Sequence, residues 1–582
     1  MKPNSASIIN CLNLIDRVKG KIELAILSRF DLPKKALVSQ STQEHFGHYQ
    51  CNNALSLAKE LKSNPRLIAE QLIFAIEDEE KMIAKMEVAG PGFINIFLSP
   101  DFLAKELDTI YEDARLGVPL LHEKKRMIVE FSSPNIAKEL HVGHLRSTII
   151  GDSLARLFEF LGHDVLRLNH VGDWGTQFGM LIAYLKRFER AFLEEKENAD
   201  LGKLMHWYKE AKKLFDADPE FKKASQLEVI TLQSKEPNAL AAWEKICAIS
   251  RKGFQTIYDL LDVKIFERGE SFYNRDLAGV VESLEKKGLV KESDGAKCLF
   301  LEDFNIPMII KKSDGGYNYS TTDMAAMKQR IVEEKAERII IVTDAGQQLH
   351  FQMIAKASEL SKVLDSEKVV FNHVPFGVVL GPDGKKFKTR SGSTEPLIAL
   401  LQEAIDRAYL LLKERMKDLS DEKIHSFAAI LGIDAVKYAD LSCHRLKDYI
   451  FSYDRMLNFE GNTAAYLLYS YVRIQSIKRK VNKPLNEVKE AALFQLTHPS
   501  EIALGLALRQ FGEALEMMDK DLLPNRLCDY LYSLAEKFHA FFRDCRVEGS
   551  DEENSRLLLC EFTGRILKKG LEILGLKTMD RM

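Results

Sequence analysis

The sequence feature that most constrains the fold is a short apolar run that ends in a polar loop and precedes two histidines. The run is Ile128-Val129-Glu130-Phe131, the loop is Ser132-Ser133-Pro134-Asn135, and His141-Val142-Gly143-His144 opens a long helical pattern. β-Branched residues before a proline-containing loop predict a strand. A helix N-terminus with two imidazoles and free backbone N–H groups suits phosphate oxygens. The segment therefore predicts a strand, a loop and a helix that bind a nucleotide.

Length and composition set the outer bounds. The 582 residues predict more than one domain, and 46% apolar with 29% charged residues is typical of soluble globular proteins. The net charge of −3 neither indicates nor excludes nucleic-acid binding, since a local basic patch suffices. The eight cysteines include no CxxC pair, which favours free thiols in a reducing compartment over a zinc site. Without a signal-peptide core or an 18-residue apolar run, we expect a cytoplasmic protein with no membrane partner.

Pattern changes divide the chain into three predicted units. Residues 1–118 show helical periodicity and then the strand-like run Val88–Leu98 with its Gly-Pro-Gly turn, so this unit is predicted to be α+β. Residues 119–455 alternate strands and helices around a helical insertion at about 180–261. Residues 456–582 show only helical patterns. The sequence therefore predicts a multidomain α/β protein with a parallel-sheet core.

Each predicted core strand is followed by a cluster of polar residues. The strands are Met127–Phe131, Val165–Asn169, Arg338–Thr343, and a broken strand at Val369–Val370 and Pro375–Leu380. The polar clusters are Asn135 with His141 and His144, His170–Gly175, Gly346–His350 and Gly384–Arg390. Because the carboxyl ends of parallel strands meet at one edge, we expect a single composite site there.

Two of these clusters have alternative interpretations. His141 and His144 lie on one helical face, where they could also bind a metal or cap the helix, but no Cys, Glu or third His is spaced nearby to complete a metal site. The cationic loop between Gly381 and Gly392 could be a solvated hairpin tip. If it faces the histidines, its lysines would close over a triphosphate and stabilise charge on departing pyrophosphate.

The helix pattern around residues 466–480 combines tyrosines with a basic end. Arg473, Lys478 and Arg479 lie in this segment. Aromatic and basic residues together suit a polyanion with stackable bases, whereas the alternative is a bundle helix with a solvated basic end.

Several of these motifs together resemble one enzyme family. His141-Val142-Gly143-His144 resembles the HIGH motif of class I aminoacyl-tRNA synthetases, and Lys386-Phe387-Lys388-Thr389-Arg390 resembles their KMSKS loop in a degenerate form. Further segments resemble arginyl-tRNA synthetases, namely Val129–Gly151, His170–Gly179, Gly269–Asn274, Tyr319–Ala325, Lys385–Gly392, Asp454–Thr463 and, in the leading unit, Val88–Phe93. The resemblance implies a Rossmann-type catalytic core, an α+β N-terminal domain and an all-α anticodon-binding bundle.

The resemblance also implies an activity and a set of site residues. The activity would be ATP- and Mg²⁺-dependent activation of L-arginine, without zinc, followed by transfer to the 2′-hydroxyl of the terminal adenosine of tRNA(Arg). Members of the family generally require tRNA to form the adenylate, and we expect a monomer. The implied residues are His141, His144, Lys138 and Lys388 for catalysis; Gly143, His141, His144, Lys386 and Arg390 for ATP; Glu130, Asn135, Tyr319, Asp323 and Gln347 for arginine; and Arg473, Lys478 and Arg479 for tRNA.

The chemistry of these residues agrees with an arginine pocket, although each carboxylate has another interpretation. A guanidinium needs acceptors in a matching fork, and Glu130 with Asp323 would supply two carboxylates. Asp323 could instead stabilise its own helix dipole, and Glu130 could be a surface charge at a strand end. Thr389 stands where the family has a second KMSKS lysine, and Lys138, just before the HIGH-like motif, would compensate.

Two departures and several competing classes remain. Glu139 and Ala465 stand where the family often has proline, which affects loop geometry more than contacts. A cysteinyl or glutamyl synthetase would lack the arginine-pocket set, and a small HxGH nucleotidyltransferase would lack the terminal helices. A catalytically inactive RNA-binding protein that kept the fold would have lost its ATP-facing residues, which are present here.

Overall fold

The computed structural model describes residues 13–41, 43–120, 123–381, 383–385 and 395–582. The first unit contains α1 (Leu14–Phe30), β1 (Val38–Gln40), β2 (Tyr49–Cys51), α2 (Asn53–Leu61), α3 (Pro65–Ala75), β3 (Ile83–Ala89), β4 (Phe93–Leu98) and α4 (Pro100–Tyr111). Its antiparallel sheet has the strand order β1-β2-β4-β3. The predicted strand at Val88–Leu98 is in fact a hairpin, because Gly92 adopts φ 141° between β3 and β4.

The central region alternates strands and helices. Its elements are β5 (Arg126–Glu130), α5 (Val142–Leu161), β6 (Asp164–Asn169), α6 (Thr176–Phe188), α7 (Arg190–Leu193), α8 (Leu201–Ala217), α9 (Pro219–Gln233), α10 (Pro237–Leu260), β7 (Phe266–Glu267), α11 (Leu277–Lys286), β8 (Val290–Ser293), β9 (Ala296–Leu299), β10 (Met308–Lys311), α12 (Tyr319–Val332), β11 (Arg338–Asp344), α13 (Gln348–Leu360), β12 (Val370–Phe376) and β13 (Val379–Leu380). Short 3₁₀ turns at Glu270–Arg275 and Ala345–Gln347 follow β7 and β11.

The central sheet is parallel and has the order β12-β11-β5-β6-β7. The predicted α/β fold class and the strands at β5, β6 and β11 are confirmed. The prediction of a broken strand near residue 370 is wrong, because β12 runs unbroken from Val370 to Phe376. Its polar residues are satisfied across the ladder, since Asn372 accepts from Arg338 and His373 bonds Thr343. Pro375 is tolerated because β12 is an edge strand.

The last region is helical apart from one short strand. Its elements are α14 (Leu397–Arg415), α15 (Asp421–Leu441), β14 (Tyr449–Ile450), α16 (Tyr453–Met456), α17 (Ala464–Val481), α18 (Leu485–Ala491), α19 (Pro499–Arg509), α20 (Phe511–Asp521), α21 (Asn525–Asp544) and α22 (Glu553–Ile573). The first unit docks on this bundle, since Glu106 pairs with both Arg17 (2.8 Å) and Arg509 (3.0 Å). No helix among the described residues is long and apolar enough to cross a membrane.

Two buried basic side chains, Lys437 of α15 and Arg146 of α5, connect the helical bundle to the region around α5. The Lys437 ammonium donates to the carbonyls of Leu261 (2.7 Å) and Gly575, and the Asp434 carboxylate accepts from the Lys577 backbone N–H. A side chain on Gly575 would collide with Asp152 of α5. The chain that follows α22 therefore packs against α5, the helix that begins at the two histidines.

Arg146, on α5, is fully buried and holds the strand that leads toward the cationic loop. Its guanidinium pairs with Asp440 (3.1 Å) and donates to the Gly377 carbonyl (2.7 Å) and the Lys447 carbonyl (3.2 Å). A buried guanidinium needs such a set of acceptors to offset desolvation. Arg146 thus fixes Gly377, between β12 and β13, relative to the helix that begins at the two histidines.

Candidate active site at the carboxyl edge of the sheet

The two histidines cap the helix on which they lie. His141 is the N-cap of α5, and its Nδ1 accepts from the Gly143 backbone N–H (3.1 Å). The Nδ1 of His144 accepts in turn from the His141 backbone N–H (3.1 Å). An added Cβ at Gly143 would lie 2.9 Å from the His141 ring, so glycine is required by the cap itself. Of the backbone N–H groups predicted to be free at this helix N-terminus, that of Gly143 is therefore already bonded within the protein.

The capping geometry determines which nitrogen of each histidine remains available. Burial, followed by the charge of Lys138, lowers the pKa of His141, and burial followed by the charges of His141 and Lys138 lowers the pKa of His144 to about 3. Both rings are thus neutral at pH 7. Because each Nδ1 accepts a hydrogen bond, each proton lies on Nε2. The two ε-N–H groups are the donors that the caps leave available, and the ring centroids of His141 and His144 lie 4.0 Å apart.

The loop between β5 and α5 is held by hydrogen bonds to side chains of α5 and β6. Ser132 and Ser133 have φ values of 68° and 48°, which are left-handed conformations that non-glycine residues rarely adopt. The Ser132 N–H donates to Ser147 (3.0 Å), and the Ser133 N–H donates to the Asn169 side chain (2.9 Å). These contacts fix the path by which Asn135 reaches the edge of the sheet, where it forms a bridge with Gly172.

A second loop brings an additional carboxylate to the same edge. Asp173 is buried and accepts from both the backbone N–H (2.8 Å) and the hydroxyl (2.7 Å) of Ser271. A side chain at Gly269 would lie 2.5 Å from the Asp173 carboxylate, so the turn can approach only as glycine. Between them lies Glu270, whose pKa is raised to about 8 by burial and by the nearby charges of Asp323 and Asp173.

Asp323 lies at the centre of the predicted arginine pocket. Helix α12 begins at Tyr319, so Tyr319 and Asp323 are one turn apart, as the sequence predicts. The Asp323 carboxylate bonds His350 Nε2 (2.6 Å) and lies 3.9 Å from His170 Nε2. The Tyr319 ring is 60% exposed and lies 4.8 Å from that of His350. Gln347 is exposed at the end of the 3₁₀ turn that follows β11.

Glu130 is placed differently from the other predicted pocket residues. Its carboxylate is buried at the end of β5 and lies 2.5 Å from the guanidinium of Arg330, on α12. Burial of the Arg330 guanidinium acts to lower its pKa, but Glu130 and Tyr273 more than offset this effect and raise the pKa overall. Arg330 therefore remains charged. Glu130 therefore already has one charged partner within the protein, Arg330.

The remaining predicted residues fall into three groups. Lys138 is exposed beside the two histidines and depresses the pKa values of both. Lys386, Lys388 and Arg390 lie outside the described residues. In the bundle, Arg473 bonds the Tyr469 hydroxyl (2.5 Å) and lies 5.0 Å from the Phe542 ring, whereas Lys478 and Arg479 line an open cavity of about 630 Å³. The structure thus separates Arg473 from the other two bundle cations.

Sequence reasoning missed Glu270, Arg330, His170 and His350 as individual site residues. Three of them stand in segments that did attract attention, because His170 and His350 lie in polar clusters after strands and Glu270 lies in the Gly269–Asn274 segment. Arg330 gave no signal, since it lies near the end of a helix with apolar neighbours. Among the described residues, no three His, Cys, Asp or Glu side chains are arranged to hold a metal ion.

A parallel sheet with an HxGH sequence at a helix N-terminus on its carboxyl edge, followed by a terminal helical bundle, is the architecture of a class I aminoacyl-tRNA synthetase. Residues 106–453 match the family model for the catalytic domain of class I tRNA synthetases (R). Residues 13–98 match the arginyl tRNA synthetase N terminal domain, and residues 467–582 match the DALR anticodon binding domain. The chain belongs to the arginyl-tRNA synthetase family.

Full-length relatives agree with these matches. An arginine–tRNA ligase of Protochlamydia amoebophila is 58% identical over 551 residues, covering 94% of this chain and 94% of that protein. The arginine–tRNA ligase of Chlamydia caviae is 52% identical over 545 residues, covering 94% and 95%. The crystal structure of arginyl-tRNA synthetase from Plasmodium falciparum superimposes with a TM-score of 0.85 at 35% identity, covering 98% of this chain and 99% of that one.

Proposed function

We propose that this chain ligates L-arginine to tRNA(Arg), first forming arginyl-adenylate from MgATP and then transferring arginine to the 2′-hydroxyl of the terminal adenosine. The observation that supports this proposal is the pair of acidic side chains Asp323 and Glu270, which lie close enough together for Asp323 to raise the pKa of Glu270. They belong to the same domain as α5, which begins at the two neutral histidines. Two carboxylates facing each other across a polar pocket suit a guanidinium. The histidine pair suits the phosphates that must react with the amino acid's own carboxylate.

In the proposed pocket, Asp323 and Glu270 bind the guanidinium of arginine. Tyr319 covers it, while Asn135 and Gln347 bind the α-amino and α-carboxylate ends. Glu130 acts by holding the guanidinium of Arg330 in place, with 2.5 Å between the two charged groups. Arg330 then forms a charged and ordered part of the pocket wall. His350 orients Asp323 through their 2.6 Å hydrogen bond. Discrimination against lysine follows because a point-like ammonium cannot satisfy two separated carboxylates at once.

At the phosphate end, the arginine carboxylate attacks the α-phosphorus and pyrophosphate leaves. His141 and His144 donate their ε-N–H groups to phosphate oxygens, and Lys138 adds positive charge beside them. Lys386, Lys388 and Arg390 are proposed to stabilise the departing pyrophosphate, and Mg²⁺ enters with the ATP phosphates. No protein nucleophile is needed, because positioning and charge stabilisation suffice.

We further propose that residues 1–118, 119–455 and 456–582 act as the N-terminal, catalytic and anticodon-binding domains. Separate family matches over 13–98, 106–453 and 467–582 support this division. Arg473, Lys478 and Arg479 would contact tRNA, and the cavity lined by Lys478 and Arg479 offers room for an unstacked base. The chain is proposed to act as a cytoplasmic monomer, and its seven described cysteines, all free thiols, support a reducing compartment.

Aminoacylation of total tRNA with each of the twenty amino acids tests the proposed function. The purified chain with ATP and Mg²⁺ is expected to charge tRNA with arginine alone. Charging with another amino acid would leave the fold and overturn the pocket. Binding of tRNA without any charging would instead support a catalytically inactive RNA-binding protein.

The raised pKa of Glu270 predicts a pH-dependent affinity for arginine. In the free enzyme Glu270 is mostly neutral at pH 7, because its pKa is about 8. A bound guanidinium favours the ionised carboxylate, so binding releases a proton below pH 8, and affinity rises by up to about tenfold per pH unit as pH approaches 8. Glu270→Gln should flatten the profile measured by calorimetry between pH 6.5 and 8. Parallel profiles for the two proteins would show that Glu270 does not face the substrate.

A further inference from the structure

A partly open cavity of about 250 Å³ lies beside the HIGH-like motif. Its lining includes Leu140, which directly precedes His141, and Pro396 with Ile398, at the start of α14. His141 pairs with Pro396 in an isolated antiparallel bridge, and the Leu397 N–H donates to the Leu140 carbonyl (2.8 Å). Among the described residues that are proposed to bind arginine or phosphate, none lines this cavity. It is therefore a feature separate from the site described above.

Much of the remaining lining of this cavity is apolar and comes from two helices of the insertion. Leu201, at the start of α8, and Phe254 with Ile257, near the end of α10, line the cavity. Phe254 and Ile257 are buried, whereas Ile398, across from the helices of the insertion in sequence, is 38% exposed. An apolar lining binds the apolar part of a ligand, because that part leaves water on binding. The cavity can therefore hold a short hydrocarbon chain.

Two acidic residues line the same cavity. Glu139 is half-buried, and Asp200, the N-cap of α8, is exposed. The Asp200 carboxylate accepts from the Lys203 backbone N–H (2.8 Å), but the Lys203 ammonium pairs with Glu197 (3.0 Å) instead. Within the described part of the chain, no lysine, arginine or histidine forms an ion pair with Glu139 or Asp200. The cavity thus combines an apolar lining with two carboxylates that have no cationic partner among the described residues.

Glu139 is also a position at which this sequence departs from its family, since proline often stands there. The structure places Glu139 in the lining of the cavity, together with residues of α8 and α10. A chain with proline at this position would present one carboxylate to the cavity in place of two. The departure therefore changes the charge of the cavity, and with it the kind of ligand that the cavity can bind.

We propose that this cavity binds a linear aliphatic diammonium ion. One ammonium group pairs with Glu139, the other pairs with Asp200, and the methylene chain between them lies on the apolar lining. A single ammonium group would leave one carboxylate without a counter-ion. The cavity is slightly smaller than the about 300–1,000 Å³ typical of sites for drug-sized ligands, which agrees with a short chain. The bound ion contacts Leu140 and Pro396, on either side of the bridge to His141.

Calorimetric titration of the full chain with a series of small molecules tests the proposal. The chain is saturated with arginine, so that the arginine pocket is filled, and the solution contains neither ATP nor tRNA. Putrescine or its longer homologue hexamethylenediamine, whichever spans the two carboxylates, should bind with a Kd of about 0.1–1 mM. Butylamine, which has a single ammonium group, should bind about fivefold more weakly, and butanediol, which has no charge, should not bind.

Variants that remove one charge at a time locate the two ammonium groups. Glu139→Gln and Asp200→Asn should each weaken binding of the diammonium ion about fivefold, because each removes one ion pair at a partly exposed site. Asparagine keeps the acceptor that caps α8, so Asp200→Asn should unfold at the same temperature as the unmodified chain. Asp259→Asn is the matched control, because Asp259 is exposed on α10 and stands outside the cavity lining. It should leave the affinity unchanged.

The methyl signal of Ile398 reports where the ion binds. In spectra of the chain with isotope-labelled isoleucine methyl groups, Ile398→Ala identifies this signal by its disappearance. In the unmodified chain the signal should shift as the diammonium ion is added, with the Kd that calorimetry gives. The same shift should be seen in Asp259→Asn, and it should require about fivefold more ligand in Glu139→Gln.

Several results would overturn the proposal. Diammonium ions that bind no more tightly than butylamine, or an Ile398 signal that does not move, would show that the cavity takes no diammonium ion. Equal weakening by Asp259→Asn would indicate diffuse attraction to an acidic surface, and tighter binding of phenethylamine would assign the cavity to aromatic amines. The inference goes beyond the proposed function and does not depend on it. If the unmodified chain charges no tRNA with arginine, the proposed function fails and this inference stands.

Discussion

Replacing His144 with alanine is expected to abolish pyrophosphate exchange, assayed with tRNA present, while tRNA affinity stays nearly unchanged. The His144 ring is neutral, with its pKa lowered to about 3, and its ε-N–H group is the one left for a phosphate oxygen. A donor aimed at developing charge in a dry site contributes about 10²- to 10³-fold in rate. Initial rates of exchange at saturating ATP and arginine measure the loss.

The variant His144→Asn distinguishes the catalytic role from the capping role. His144 Nδ1 also accepts the His141 N–H, so alanine removes both a cap, worth about 1 kcal/mol of helix stability, and the phosphate donor. Asparagine can retain the capping acceptor but does not reach the position of Nε2. Both variants should be inactive, and only the alanine variant should unfold at a lower temperature. His163→Asn, at the amino end of β6, should keep full activity, and an active His144→Asn enzyme would refute the donor role.

Replacing Asp323 with asparagine is expected to raise the KM for arginine by about 10²- to 10³-fold. Removing one partner of a desolvated charge pair costs about 2–5 kcal/mol, because the other charge is left without its counterpart. The substitution is isosteric, so the side chain can still bond His350, which lies 2.6 Å away. The KM for ATP should change little. Steady-state aminoacylation with each substrate varied in turn gives both values.

Glu333→Gln provides the matched control for Asp323. Glu333 follows the last residue of the same helix, α12, and pairs with Arg275 away from the pocket. It should leave both KM values unchanged. A uniform loss of kcat in Asp323→Asn, with unaltered KM for arginine, would mean that Asp323 maintains the helix and does not bind the substrate.

The architecture was predictable because its signals are local. Apolar runs that end in polar clusters identified β5, β6 and β11, and the 3.6-residue periodicity after His141 identified α5. The continuity of β12 was not predictable, since Asn372 and His373 are acceptable in a strand only through their partners on the neighbouring strand. Ladder pairing is a tertiary property, which a single sequence does not display.

The site was predictable as a location more than as a set of contacts. The carboxyl-edge rule placed Asn135 and Gln347 at one edge of the sheet, and only the family resemblance added Tyr319 and Asp323. Nothing local distinguished a free carboxylate from one already paired. Glu130 is paired with Arg330, which lies two hundred residues away along the chain. The pKa of Glu270 is raised only by its burial and by the charges of Asp323 and Asp173. Such electrostatic properties arise from packing between segments that are distant in sequence.

The contact made by Lys437 has a consequence for the order of events during protein synthesis. Its buried ammonium needs the Gly575 carbonyl as well as that of Leu261, and a buried cation with too few acceptors is costly. The ribosome produces Gly575 only after all the helices of the bundle. The packing around Lys437, where α15, the end of α10 and the chain after α22 meet, is therefore completed only when the whole helical bundle has been synthesised.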